Sequence, residues 1–172
     1  GPWVVCTPAS CADFSAVAYF FAVDLQAVRK TPVGIIENAV SGAVAQTFIR
    51  PAVFAADPAL AAAVSLHKHD TGANGSIWDA SFAPVVPYGI KGALWFQGEG
   101  NRDFPVTYVK LLTALIVDWR KVWGQGDLPF LVCQLTNWTE RKPEPRDGKD
   151  CSLREAQLKV TQTVPNTALV VT

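Results

Sequence analysis

The sequence predicts an α/β domain in which a parallel β-sheet carries helices on both faces, a three-layer α/β/α sandwich. Three observations predict it. Short apolar runs bounded by turn residues alternate along the chain with longer segments of helical period. The best-defined run, Ala93 to Phe96, breaks into Gln97-Gly98-Glu99-Gly100-Asn101, two amides and a carboxylate separated by glycines. Such a cluster belongs at the carboxyl end of a strand, where open α/β sheets bind their ligands. The length of 172 residues suits one domain with a sizeable core, so residues 1–172 read as a single domain.

Each element has its own justification. Trp3 to Cys6 is an apolar run closed by Thr7-Pro8 and reads as a strand. Asp13 is placed to cap a helix from Phe14 to about Arg29, in which Phe14, Val17, Ala18, Phe21, Leu25 and Val28 fall at helical spacing. Thr31-Pro32 stops it, and Val33 to Ile36 reads as a second buried strand. Glu37 to Gln46 is a loop of small residues leading to the Ala-rich segment Pro51 to Leu66. His67 to Ser76 is polar and glycine-containing, a surface loop. Pro84 and Pro87 make Ala83 to Tyr88 an extended approach to the central strand. Beyond the polar cluster, Tyr108, Leu111, Leu112, Leu115, Ile116, Trp119 and Val122 repeat with a helical period that Gly124-Gln125-Gly126 ends. Pro129 to Leu135 is the next strand, Asn137 to Asp150 a loop, Ser152 to Thr163 a helix, and Ala168 to Val171 the last strand.

Composition excludes several classes of function. Hydrophobic residues make up 49% and charged residues 17%, which places the chain among globular proteins rather than disordered ones. Fifteen basic residues balance fifteen acidic ones without any Lys/Arg cluster, so nucleic acid is not an expected partner. No apolar run reaches the length of a membrane span. The chain has no methionine, and both of its ends are expected to be processed or trimmed. Cys6, Cys11, Cys133 and Cys151 lack metal-binding spacing. Cys6 and Cys133, each in an expected strand, read as buried free thiols, and Cys6 with Cys11 would close a small disulfide loop in an exported protein.

A set of blocks resembles one family. Phe14-Ser-Ala-Val-Ala-Tyr-Phe-Phe21, Pro32-Val-Gly-Ile-Ile36, Ile90-Lys-Gly-Ala-Leu-Trp-Phe-Gln-Gly-Glu99, Asp118-Trp-Arg120, Trp123-Gly-Gln-Gly-Asp-Leu-Pro-Phe130, Gln134-Leu135 and Leu153-Arg-Glu-Ala-Gln157 are similar to successive blocks of the sialate O-acetylesterases. These carbohydrate esterases belong to the SGNH hydrolases, so the resemblance implies a flavodoxin-like sheet. It also implies removal of acetyl groups from sialic acid or a related sugar by serine acyl transfer. That chemistry needs a serine, a histidine to activate it, an acid to orient the histidine and donors for the oxyanion, with no metal and no organic cofactor. The family's Gly-Gln-Ser-Asn-like nucleophile block and its Asp-x-x-His block are both absent from this sequence, so the chain is expected to be a central portion of the fold and catalytically incomplete alone. The expected partner is an O-acetylated sugar or glycan, and the expected location extracytoplasmic. The sequence leaves the oligomeric state open.

The resemblance also nominates residues. Gln97 stands where a side-chain oxyanion donor is placed, with a loop-tying hydrogen bond as its other reading. Gly42 retains one glycine of a Gly-Gly-Thr block whose backbone amide enters the oxyanion hole. Ser41 and Ala43 replace that block's other two residues, which points to altered substrate choice or to weakened or lost activity. Glu99 and Asn101 are candidates for orienting a neighbour or holding a sugar hydroxyl, and Trp138, in a polar loop, for stacking on a sugar. Trp95, Trp119 and Trp123 lie on apolar faces and read as core. Two alternatives complete the picture: a sugar-binding module on the same fold without chemistry, and a local hydrolase built on Ser41 with His67 or His69 and Asp70. The second lacks the Gly-x-Ser-x-Gly elbow, and its histidines have no third convincing metal ligand.

Overall fold

The structure, a computed structural model, describes residues 2–66, 72–138, 140, 143–144 and 147–171. They form two compact units, residues 1–41 and 42–172. The first unit holds one helix, α1 (Ala16–Arg29). Its N-cap is Ser15 rather than Asp13, with Oγ accepting from Ala18 N–H at 3.4 Å, and Lys30 closes it in the left-handed region at φ 55°. Trp3–Cys6 and Val33–Ile36, both expected as strands, do not form strands. A short β-branched run becomes a strand only when a neighbour offers a ladder, and local sequence does not supply that neighbour. Cys6 is consequently exposed, not buried, and all four cysteines are free thiols. Within this unit Gly34 lies under the Trp3 ring, where a Cβ would come within 2.9 Å of it.

The second unit contains α2 (Pro51–Ala56), α3 (Pro58–Ser65), β1 (Ala93–Phe96), α4 (Pro105–Trp123), β2 (Phe130–Cys133), α5 (Lys149–Thr163) and β3 (Thr167–Val170). The strands form a parallel sheet in the order β1-β2-β3, with Ala93 opposite Phe130 and Phe130 opposite Thr167. Each crossover passes through one helix. Right-handed crossovers between sequential neighbours put both helices on the same face, and α4 packs against α5 accordingly. Trp95, Phe130 and Val132 point into that layer and are buried. Phe96 and Val170, on the opposite face, remain 46% and 47% exposed, so in this unit the sheet is covered by helices on one side.

The core is aromatic. Trp119 of α4 meets Phe82 at 4.5 Å between ring centroids and Trp123 at 5.8 Å, while Phe48 meets Trp95 edge-on at 5.3 Å. Every one of these buried indoles has an acceptor: Trp95 Nε1 donates to Tyr108 Oη, Trp119 Nε1 to the Phe48 carbonyl and Trp123 Nε1 to the Tyr88 carbonyl. The segment expected to be extended from Ala83 to Tyr88 instead begins as a 3₁₀ turn, Ala83–Val85, continuing a π-helical turn over Trp78–Phe82. Stacking of Trp78 on Phe82, at 6.0 Å, holds that turn, and Pro84 fits the first positions of a helix without losing a hydrogen bond. Among the described residues no helix is long and apolar enough to cross a membrane.

Candidate active site

The carboxyl ends of β1 and β2 open toward the same edge of the sheet. Gln97 leaves β1 there, and its backbone carbonyl accepts two hydrogen bonds, from Tyr108 Oη at 3.1 Å and from Gln157 Nε2 at 3.0 Å. Gln157 is fully buried, and its Oε1 also accepts the Leu135 N–H at 2.8 Å, so one α5 side chain fixes the exits of both strands. Gly98 follows in extended conformation, and a Cβ there would meet Leu153 Cδ2 at 2.5 Å. Only a glycine lets the loop pass this close to α5.

The Gln97 side chain is held as firmly as its backbone. Nε2 donates to the Ala43 carbonyl at 3.0 Å and to Asn101 Oδ1 at 2.8 Å. Asn101 is 1% exposed; its Oδ1 also accepts the Ala45 N–H at 2.8 Å, and its Nδ2 donates to Gln46 Oε1 at 3.0 Å. One backbone group fixes all three amides. The Ala45 N–H can only donate, so Asn101 turns Oδ1 to it; Nδ2 then faces Gln46 Oε1, and Gln97 presents Nε2. Gln97 Oε1 and Gln46 Nε2 are left buried without a hydrogen-bond partner among the described residues. Of the two readings of Gln97, the loop tie is formed in this arrangement. A hydrogen for an oxyanion becomes free only when Ala43 or Asn101 is released.

Gly42 stands beside this knot at φ 72°, and its N–H has no partner among the described residues. Contact between the two segments depends on Gly100, whose Cβ would meet Val44 Cγ1 at 2.7 Å and the Gly42 and Ala43 carbonyls at 3.4 Å. Ser41 is exposed, and His67, His69 and Asp70 lie outside the described residues.

Next to the Gln97 loop is a cleft of about 550 Å³. Glu99, Arg102 and Asp103 form one wall, Leu135, Thr136 and Trp138 another, and Asp150 of α5 closes it. Glu99 and Trp138, nominated separately, are thus brought into one cleft, with the Trp138 ring 87% exposed. Lys149 pairs with Asp103, and that bond holds the Asp103 carboxyl below its ordinary range. Arg102 and Asp150 make a looser pair at 3.7 Å. Arg154 donates to Asn137 Oδ1 at 2.5 Å and to Gln134 Oε1 at 2.8 Å, pinning the segment that leads to Trp138. It does so from the second turn of α5, which starts at Lys149, earlier than its apolar period indicates. Burial pushes the Tyr108 hydroxyl up to about 12, with the Glu99 charge adding in the same direction, so Tyr108 stays a neutral donor to Gln97.

A family model described as carbohydrate esterase, sialic acid-specific acetylesterase, matches residues 10–172. The chain belongs to this family. The sialate O-acetylesterase of Mus musculus is 34% identical over 70 residues, 36% of this chain and 13% of that protein. The human sialate O-acetylesterase is 31% identical over 74 residues, 38% of this chain and 14% of its own length. The crystal structure of a carbohydrate acetylesterase from Xanthomonas citri matches 96% of this chain with a TM-score of 0.79 at 30% identity, and 36% of that chain is covered. The chain therefore spans a minor part of the relatives it matches. In this member of the acetylesterase family, three site-holding residues escape a reading of the sequence: Gln46, Tyr108 and Gln157. Gln157 leaves a signal, a polar residue on the buried stripe Leu153, Ala156, Val160 of α5. Tyr108 counts correctly as core, but its hydroxyl role is invisible in the periodicity.

Proposed function

We propose that this chain carries the oxyanion and sugar-binding walls of a carbohydrate O-acetylesterase, acting on sialic acid or a related O-acetylated sugar. The family's Gly-Gln-Ser-Asn-like nucleophile block and its Asp-x-x-His block are not among these 172 residues, so this reading assigns the serine and its Asp/His pair to other sequence. One observation carries the reading: the Gln97-to-Ala43 hydrogen bond joins two blocks 54 residues apart at the carboxyl end of β1. In the proposed reaction the serine Oγ attacks the acetyl carbonyl while the histidine takes its proton. The tetrahedral oxyanion receives the Gly42 N–H, and Gln97 Nε2 becomes a second donor by exchanging the Ala43 carbonyl for it. Collapse expels the sugar oxygen, which the histidine protonates, and water then hydrolyses the acetyl-serine. No metal or organic cofactor is needed, and an extracytoplasmic location fits substrates on glycans.

The test is serine-directed fluorophosphonate labelling of this chain, read by mass spectrometry, alongside turnover of an acetylated sugar by the full reading frame. The folded 172-residue chain is expected to take no adduct. In the full protein, Gln97→Ala should lower kcat by about a hundredfold with little change in KM, the effect of losing one oxyanion donor. A stoichiometric adduct on Ser41 would replace this reading with the local hydrolase. A second reading, a sugar-binding module without chemistry, draws support from the engagement of both Gln97 Nε2 hydrogens. It predicts a full-length protein that binds acetylated sugar and never turns it over.

A further inference from the structure

We propose that Arg154 receives the carboxylate of an acidic O-acetylated sugar at the Leu135–Trp138 wall of the cleft, and so makes that charge part of what the site selects. The inference rests on the cleft being the sugar site, and it adds the residue that reads the charge of the sugar. Its place in the fold carries it. Arg154 stands one turn beyond Asp150 on α5, and Asp150 closes the cleft; residues four apart share a helix face. Its guanidinium donates to Gln134 Oε1 at 2.8 Å and to Asn137 Oδ1 at 2.5 Å, bracketing Leu135 and Thr136, which line the cleft. Both acceptors are neutral amides, which orient a guanidinium without cancelling its charge. Among the described residues Arg154 has no carboxylate partner. The other cations nearby each face one: Lys149 is bonded to Asp103, and Arg102 lies 3.7 Å from Asp150.

A guanidinium has five N–H donors in a planar fork that matches a carboxylate, and two amide bonds leave donors to spare. Because those bonds already fix the side chain, little rotamer freedom remains to be lost when a ligand arrives. Arg154 is half-buried, where a charge is screened less than on open surface. In a sialic acid the carboxylate sits on the anomeric carbon, and hydroxyls run along the rest of the molecule. The cleft offers a matching pair of poles. Arg154 supplies donors behind one wall, and Glu99 on the other wall accepts from hydroxyls. The exposed Trp138 ring between them suits the C–H face of a pyranose.

The experiment is calorimetric titration of this chain with two probes, the methyl glycoside of O-acetylated N-acetylneuraminic acid and the carboxamide of the same sugar. They differ only in the charge. The acid is expected to bind about tenfold more tightly than the amide, the order of a charge-assisted hydrogen bond, and the gap should narrow in high salt. Arg154→Gln, with its fold checked by circular dichroism, should close the gap by weakening the acid alone. Arg154→Lys keeps the charge and should retain part of the preference. Equal affinity for both probes in the unmodified chain would overturn the inference and leave the sugar site standing. So would a preference that survives Arg154→Gln, since the residue would then only hold the wall in place. Failure of both probes to bind would remove the sugar-cleft reading together with the inference built on it.

Discussion

Asn101 concentrates more of the site's order than any residue touching the cleft. Its amide receives the Ala45 N–H and a Gln97 hydrogen while donating to Gln46, all at 1% exposure. Asn101→Ala would leave the Ala45 N–H and one Gln97 hydrogen unpaired in the interior, at about 1–3 kcal/mol for each group. Asn101→Asp keeps both acceptor contacts and should be milder. Urea denaturation of the two variants checks the order, and equal losses would show that the acceptor oxygen is not what matters. Tyr108 gives a second prediction. Its folded-state value, about 12, lies above the ordinary 10 of an unfolded tyrosine. The stabilisation is therefore complete below pH 10 and disappears as pH rises toward 12. Within that window unfolding stability should fall by about 1.4 kcal/mol per pH unit from this group, and Tyr108→Phe should lack that component of the slope. Stability measured against pH for both proteins decides it.

At the scale of elements, the helices supply fixed surfaces against which the loops are set. Gly98 is required by its approach to Leu153, since a Cβ would sit 2.5 Å from Cδ2. Gly98→Ala should cost about 1–3 kcal/mol by overpacking, and Leu153→Ala about 2–5 kcal/mol by leaving a cavity. Because the new methyl occupies part of that cavity, the double variant should cost less than the sum. A strictly additive result would separate the two sites. The Arg50–Asp118 pair ties the chain ahead of α2 to α4 through two bonds, at 2.9 and 2.5 Å. Asp118 is 7% exposed, so Arg50→Ala strands a buried charge and should cost about 3–5 kcal/mol. Arg50→Ala with Asp118→Ala should recover part of it. The same elements explain what was legible beforehand. β1, α4, β2 and β3 carry their own periodicity and bounding Gly or Pro residues, so local sequence specifies them. Trp3–Cys6 and Val33–Ile36 have strand composition without a ladder. The Asn101 knot was illegible for a related reason: Ala45 and Gln46 lie 56 and 55 residues away, and no pattern along the chain marks which amides will meet.

For the whole molecule, the position of the core makes a prediction about where the chain can be cut. Every member of the buried hydrophobic cluster lies between Ala43 and Val164, and the partly buried residues packed on it run from Val53 to Leu169. No described residue of the first unit is a member of that cluster. The knot around Asn101, the Arg50–Asp118 pair and the Arg120 bonds to the Leu128, Pro165 and Asn166 carbonyls also fall within residues 42–172. Since cooperative unfolding follows a shared core, residues 42–172 expressed alone should unfold in one transition. Its Tm should lie within a few degrees of the full chain's, because about 1 kcal/mol shifts a domain of this size by only about 2–8 °C. Thermal unfolding followed by near-ultraviolet circular dichroism reports directly on Trp78, Trp95, Trp119 and Trp123, whose rings touch one another in the core. Loss of that aromatic signal in the shortened chain, with helix content retained, would mean that the first unit stabilises the tryptophan core after all.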